Sequence, residues 1–230
     1  MKNLYLAIDI LTIAVPFLFS FHPKLLFYKH WKAFFGANFI SALIFIGWDI
    51  LFTHWKVWGF NPTYITGNYV VNLPVEEVLF FICIPFSCVF TYHSLNTFFT
   101  FSWKTKTENA IIILLVSILL ILGILFWGKA YTSTTFISLA LFLVVLKFSL
   151  KVIWLPRILS IYPILLIPFF IVNGILTGTG LQSPVVWYDN LENLHIRLGT
   201  IPVEDVFYGL ELILLNLFFY ERFNAKRIEN

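Results

Sequence analysis

Two short acidic motifs, each preceded by a proline, are the part of this sequence best suited to chemistry. They read Pro-Val-Glu-Glu at 74–77 and Pro-Val-Glu-Asp at 202–205, and a long apolar run follows each one. A proline and early carboxylates suit the start of any helix, because carboxylates interact favourably with the positive end of the helix dipole. Helix-start chemistry does not require the same motif twice. We therefore interpret four carboxylates as one paired acidic site: Glu76, Glu77, Glu204 and Asp205.

Carboxyl groups in apolar surroundings are well placed to transfer protons. Carboxylates inside a membrane are costly and by default functional, and Asp9, Asp49 and Glu211 are further candidates. On the last apolar run Glu204, Tyr208 and Glu211 follow helical spacing and share one face. Burial and like-charge repulsion both favour protonated carboxyls, so at least one acid should stay protonated near neutral pH. Such a group is a proton donor with a conjugate base nearby.

Aromatic side chains flank the acidic motifs, in a sequence with 20% aromatic residues. Most of these rings are expected to be membrane core or interfacial belt. Rings beside the carboxylates can also stabilise a cationic intermediate through their π faces. The candidates for this role are Trp58, Phe80, Phe81, Trp187, Phe207 and Tyr208.

No pattern in the sequence indicates a metal or a cofactor, and we predict neither. The five histidines lack ligand spacing, and Cys83 and Cys88 lie on different faces of one apolar run. A Gly-Thr-Gly at 178–180 lacks the third glycine and the βαβ context of a dinucleotide site.

The composition is that of a membrane protein. Hydrophobic residues make up 60% of the 230 positions, charged residues 12%, and the mean hydropathy is +0.87. Seven apolar runs approach the length that a hydrocarbon core of about 30 Å demands. We predict an all-α integral membrane protein with seven transmembrane helices, at about 4–21, 33–52, 76–98, 110–127, 132–150, 158–176 and 204–220.

The basic residues predict the orientation. With seven spans, eleven of the fifteen Lys and Arg residues fall on one side, which identifies it as cytoplasmic. The N-terminus is then outside and the C-terminus inside the cell membrane. The net charge of +3 reflects this bias, and no nucleic-acid-binding motif is visible, so the lipid bilayer is the expected partner and nucleic acid is not.

The two halves of the chain resemble each other. Tyr92 and Tyr220 each follow the first Glu of their motif by 16 residues, Trp58 and Trp187 precede the prolines by 16 and 15, and Asp49 falls opposite Asn173. We predict one membrane domain over 1–230 with two parallel three-helix repeats, about 1–100 and 131–221, joined by a linker helix at about 107–129. Parallel repeats put both acidic motifs at the same, outer side. The loops at about 53–73 and 177–201 would form the walls of the site.

The doubled Pro-x-Glu-Glu/Asp motif resembles that of the membrane-integral lycopene cyclases, which occur as one fused chain or as two small subunits. The likeness covers nearly the whole chain and includes the flanks Val-Leu-Phe-Phe at 78–81 and Gly-Thr-Ile at 199–201. It implies acid-catalysed cyclisation of linear lycopene to β-ring carotenoids such as γ-carotene and β-carotene, with no cofactor and no net redox change.

The resemblance also implies that the four motif carboxylates are the acids and bases of this reaction, without saying which does which. The sequence leaves four questions open: whether one ring or two are formed, whether the substrate is C40 or C50, which ring type results, and what the oligomeric state is. The alternative function is a seven-helix transporter or a pigment-binding proton pathway. Covalently bound retinal would need a lysine in the seventh apolar run, which has none.

Overall fold

The structure, a computed structural model, describes residues 2–228 and is mostly helical. Its seven α-helices are α1 (Leu4–Phe19), α2 (Trp31–His54), α3 (Val75–Phe98), α4 (Thr105–Leu125), α5 (Ala130–Val144), α6 (Leu155–Leu176) and α7 (Val203–Ile228). Five helical segments are long and apolar enough to cross a membrane, at 27–54, 75–98, 105–125, 130–149 and 155–176. Helix α1 has only 16 residues and is a shorter apolar helix. These apolar helices indicate a membrane protein.

The loops before α3 and α7 contain short strands, which the all-α prediction did not include. They are β1 (Trp58–Phe60), β2 (Tyr69–Val70), β3 (Leu73–Pro74), β4 (Val186–Tyr188), β5 (Arg197–Leu198) and β6 (Ile201–Pro202). Strand β1 pairs antiparallel with β4, while β2–β3 and β5–β6 are small hairpins that lead directly into α3 and α7. The strands form because backbone groups in loops that cover a site need hydrogen-bond partners.

The β1–β4 pair ties the two loops together at one end of the helices. Gly59 lies opposite Trp187 in this pair, and a Cβ atom on Gly59 would be 2.4 Å from the indole ring. Only glycine fits there. Both acidic motifs therefore begin at the same end of the molecule.

Helices α3 and α7 lie at the centre of the bundle, and each contacts helices of both halves. Helix α1 packs on α3 and α5 packs on α7, while α2 lies along both α3 and α7. The interfaces of α6 with α3 and α7 are much less extensive. Helix α4 packs on α5, where Lys147, in a π-helical turn at Val145–Ser149, forms an ion pair of 2.7 Å with Glu108. The boundaries of the predicted repeats stay a prediction.

Candidate active site

A cavity of about 140 Å³ lies beneath the β1–β4 pair and continues between α3, α6 and α7. Its walls are mostly apolar and aromatic side chains. Three carboxylates line it, Asp49, Glu77 and Asp205, and no Lys, Arg or His of residues 2–228 does. Glu77 comes from the first half of the chain and Asp205 from the second, and the two are close enough to interact electrostatically. The cavity thus joins one acid of each motif in one apolar space.

Glu77 is held by a phenol from the first helix. The hydroxyl of Tyr5 donates a hydrogen bond of 2.5 Å to Glu77 Oε2, and both side chains are buried. The other oxygen, Oε1, accepts no hydrogen bond from any residue that the structure describes. Glu77 therefore presents one tethered oxygen and one oxygen available to a ligand.

Asp205 occupies the matching position in the second half and is held by two phenols. Tyr131, near the start of α5, donates to Oδ1 at 2.6 Å, and Tyr188 of β4 donates to Oδ2 at 3.0 Å. Burial and the nearby Asp205 charge raise the pKa of Tyr188 well above its usual value of 10, so Tyr188 stays a neutral donor. Two hydrogen bonds to the carboxylate offset part of the cost of burying its charge.

Glu76 and Glu204 do not line the cavity. Both are fully buried, and each accepts a backbone hydrogen bond from the loop ten residues upstream: Thr66 N to Glu76 Oε1 at 2.6 Å, and Leu194 N to Glu204 Oε1 at 2.7 Å. The hydroxyl of Thr132 also donates to Glu204. The first carboxylate of each motif thus fastens the loop that covers the site. The Oε2 atoms of both residues are buried and have no hydrogen-bond partner among the residues that the structure describes.

Three of the predicted aromatic residues line the cavity beside the carboxylates: Trp58, Phe80 and Tyr208. The ring centroids of Trp58 and Tyr208 are 6.1 Å apart, and Asp49 lies on the same wall with Oδ2 buried and unpartnered. The Tyr208 hydroxyl is likewise buried without a partner in residues 2–228. These unsatisfied polar atoms surround space into which a ligand could fit.

Several predicted site residues lie elsewhere. The Phe81 ring is buried against α2, Phe207 packs on Phe136 with ring centroids 5.0 Å apart, and Trp187 is 40% exposed on the outer face of β4. Glu211 accepts a hydrogen bond of 2.8 Å from Ser138 and does not line the cavity. Helical spacing put Glu204, Tyr208 and Glu211 on one face, but only Tyr208 reaches the cavity.

The three tyrosines that hold the acids were not predicted from the sequence. Tyr5 and Tyr131 occupy matching places, 72 residues before Glu77 and 74 before Asp205. Extending the repeat to the first helix of each half would have paired them. No comparable pattern points to Tyr188, because the β1–β4 pair brings it to the site.

Residues 2–228 contain no group of three or more His, Cys, Asp or Glu side chains that could hold a metal ion. The chain is a helical membrane protein with an aromatic-lined, apolar cavity that carries three carboxylates. The family model described as lycopene cyclase matches residues 2–95 and 128–223, most of each half. The chain belongs to the lycopene cyclase family, which confirms the resemblance noted from the motifs. No curated protein and no solved structure matches it.

Membership of this family supports a cyclase of carotenoid biosynthesis whose substrate is a carotenoid. The apolar helices provide the lipid context that such a substrate requires.

Proposed function

We propose that this protein cyclises the ends of lycopene to β-rings, forming γ-carotene and then β-carotene, with no redox change and no cofactor. One observation carries the proposal: Glu77 and Asp205, one from each half of the chain, face a single apolar cavity. Acid-catalysed ring closure needs a proton donor, shelter for a cation and a proton acceptor. The cavity offers all three.

Glu77 is the proton donor in this proposal. Its Oε2 is occupied by Tyr5, while Oε1 is available to carry a proton into the cavity. That proton adds to C2 of the terminal double bond and leaves a cation at C1. The C5=C6 double bond then attacks C1, which closes the six-membered ring and moves the cation to C5.

The aromatic wall stabilises the cation, and Asp205 removes the proton that ends the reaction. Trp58 and Tyr208 line this apolar site, where cation–π attraction to a ring is worth about 2 kcal/mol or more. Asp205 accepts hydrogen bonds from two phenols and Glu77 from one, which favours the carboxylate form at Asp205, and this carboxylate takes the proton from C6. One proton enters and one leaves, so the product is an isomer of the substrate.

Glu76 and Glu204 act in this scheme by fixing the loops that cover the cavity. Their hydrogen bonds to Thr66 and Leu194 support such a role better than a direct one. Of the four motif carboxylates, we therefore assign the proton transfers to the second of each pair.

We also propose seven spans in the cell membrane, with the N-terminus outside, the C-terminus in the cytoplasm and the acid pair near the outer surface. The Lys and Arg distribution supports this orientation. A green fluorescent protein fused to the C-terminus should fluoresce, because it folds in the cytoplasm, whereas a dark fusion would reverse the topology.

Expression in bacteria that accumulate lycopene tests the proposed function. Wild-type protein should turn the red cells orange-yellow and yield β-ring products on chromatography. Glu77→Gln should leave lycopene unchanged. Glu221→Gln is the matched control, because Glu221 lies far along the same α7 helix as Asp205 and is bonded by Tyr92. Wild-type cells that hold only lycopene would refute the proposal and favour the transporter alternative.

A further inference from the structure

The cavity is much longer than one acid site requires. Along α3 its lining runs from Glu77 through Ile84 to Thr91, which is fourteen helical steps, or about 21 Å at the rise of an α-helix. A linear C40 polyene extends roughly the 30 Å of a hydrocarbon core. The cavity is thus a channel that starts at the acids and descends beside the helices for most of such a chain.

The channel runs beside α6, and apart from Asp49 the corresponding positions of α2 do not line it. The internal repeat pairs each residue of α3 with the residue of α7 that lies 128 positions later, as Glu76 pairs with Glu204. By this rule Phe81 corresponds to Gly209. Residues of α2 pair in the same way with residues of α6 that lie 124 positions later, as Asp49 pairs with Asn173. Phe45 therefore corresponds to Phe169. In the first half Phe45 and Phe81 are buried with ring centroids 6.1 Å apart. The aromatic pair fills that side.

In the second half Gly209 has no side chain, so the space that corresponds to the Phe81 ring is open. A Cβ atom on Gly209 would lie 3.6 Å from the Phe169 ring and 3.5 Å from the Tyr162 hydroxyl, which is ordinary contact distance. A methyl group therefore fits, but the ring found at position 81 would extend into the channel. Gly209, Phe169 and Tyr162 all line the channel, whereas Phe45 and Phe81 do not.

A second pair of corresponding positions differs in the same way. Asn38 of α2 donates a hydrogen bond of 3.1 Å to Asn216 of α7, and both are buried, so this interface is closed. Their counterparts Tyr162 and Cys88 face the channel between α6 and α3. The Phe45–Phe81 and Asn38–Asn216 contacts thus close the side of the molecule beside α2. Their counterparts beside α6 line the open channel.

We propose that this single channel binds the polyene of the substrate while one end is cyclised, and that Gly209 determines whether the long chain fits. The inference rests on the proposed function for its substrate class, a rigid linear polyene. The channel walls are mostly apolar, as such a rod requires. Because the channel is shorter than the chain, the far end projects beyond it, and the two ends cannot reach the acid pair together.

Replacing Gly209 with the residue of the other half tests the proposal. Gly209→Phe should lower β-ring formation at least ten-fold in lycopene-accumulating cells. The matched control is Gly47→Phe, because Gly47 is also a helical glycine but has open space around its Cβ position and faces outward. The control should cyclise lycopene like the wild type.

Bound pigment provides a readout that does not depend on catalysis. In a Glu77→Gln background, lycopene that copurifies with the protein should fall progressively from Gly209 through Ala and Leu to Phe, and should stay unchanged with Gly47→Phe. Only variants that elute as the wild type does are compared. Thr91→Trp, which narrows the channel from α3, should also reduce bound lycopene.

If folded Gly209→Phe or Thr91→Trp protein bound as much lycopene as its parent, the channel proposal would be overturned, even if cyclisation fell. Glu77→Gln protein that retains no lycopene would overturn it too. If bound lycopene falls across the Gly209 variants as expected but the wild type forms no ring, the channel proposal stands and the proposed reaction fails. The two failures are therefore distinguishable.

Discussion

The hydroxyl of Tyr5 lies 2.5 Å from Oε2 of Glu77, although the two residues are 72 positions apart and belong to different helices. Tyr131 and Asp205 repeat this relationship at 2.6 Å in the second half. Glu77 and Asp205 are thus each oriented by the first helix of their own half. This arrangement fixes which carboxylate of each motif can reach a ligand.

The two carboxylates of a motif should respond differently to substitution. Glu77→Gln should lower cyclisation at least about 100-fold, because a positioned general acid contributes roughly 10²–10⁴. Glu76→Gln should retain activity within about ten-fold, because the amide oxygen can still accept the Thr66 hydrogen bond. Product formation per membrane-inserted protein measures both. An active Glu77→Gln beside an inactive Glu76→Gln would reverse our assignment.

The tyrosines should affect the rate of the chemical step rather than substrate binding. Tyr131→Phe and Tyr188→Phe each remove one donor to Asp205, and a hydrogen bond to a charged group is worth about 1.5–3 kcal/mol. We expect kcat in liposomes to fall roughly ten- to 100-fold with little change in KM. Tyr64→Phe is a suitable control, because Tyr64 is buried nearby but outside the cavity lining. A change confined to KM would argue against the proposed role.

The order of products should reveal a single site. If one acid pair serves one end at a time, γ-carotene must form first and leave or reverse before β-carotene appears. A brief reaction with lycopene in excess should therefore accumulate γ-carotene, as measured by chromatography over time. The appearance of β-carotene alone at every time point would mean that both ends are processed without release.

The ion pair between Lys147 and Glu108 should affect stability and not chemistry. The side chains are 14% and 10% exposed, so breaking the pair should cost between the roughly 1 kcal/mol of a surface pair and the roughly 3–5 kcal/mol of a buried one. Glu108→Gln should lower the melting temperature, and Lys147→Met in addition should restore part of it. Activity per folded protein should not change. A lost activity at unchanged melting temperature would show that the pair has another role.

The sequence predicted the number of helices and the location of the acids because both depend on local features. Apolar length defines the helices, and the repeated motif of prolines and carboxylates marks α3 and α7. Asp49, Trp58, Phe80 and Tyr208 were also predicted as site residues, and all four line the cavity.

The division of labour within the motifs depends on long-range contacts and could not be predicted. Glu76 and Glu77 are neighbours in the chain, yet only the structure shows that one contacts a loop and the other the cavity. Trp58 lines the cavity and Trp187 does not, although the sequence aligned the two residues. In the strand pair Trp187 lies opposite Gly59, and this places its ring outside the site.

The central claim is that Glu77 delivers a solvent-exchangeable proton to the substrate and Asp205 removes another. Cyclisation by purified protein in liposomes made in D₂O, with no added cofactor, tests this directly by mass spectrometry. Each ring should carry one deuterium, so γ-carotene should gain one mass unit and β-carotene two, and Glu77→Gln should form neither. Rings that form without deuterium, or with equal yield in Glu77→Gln, would contradict the account.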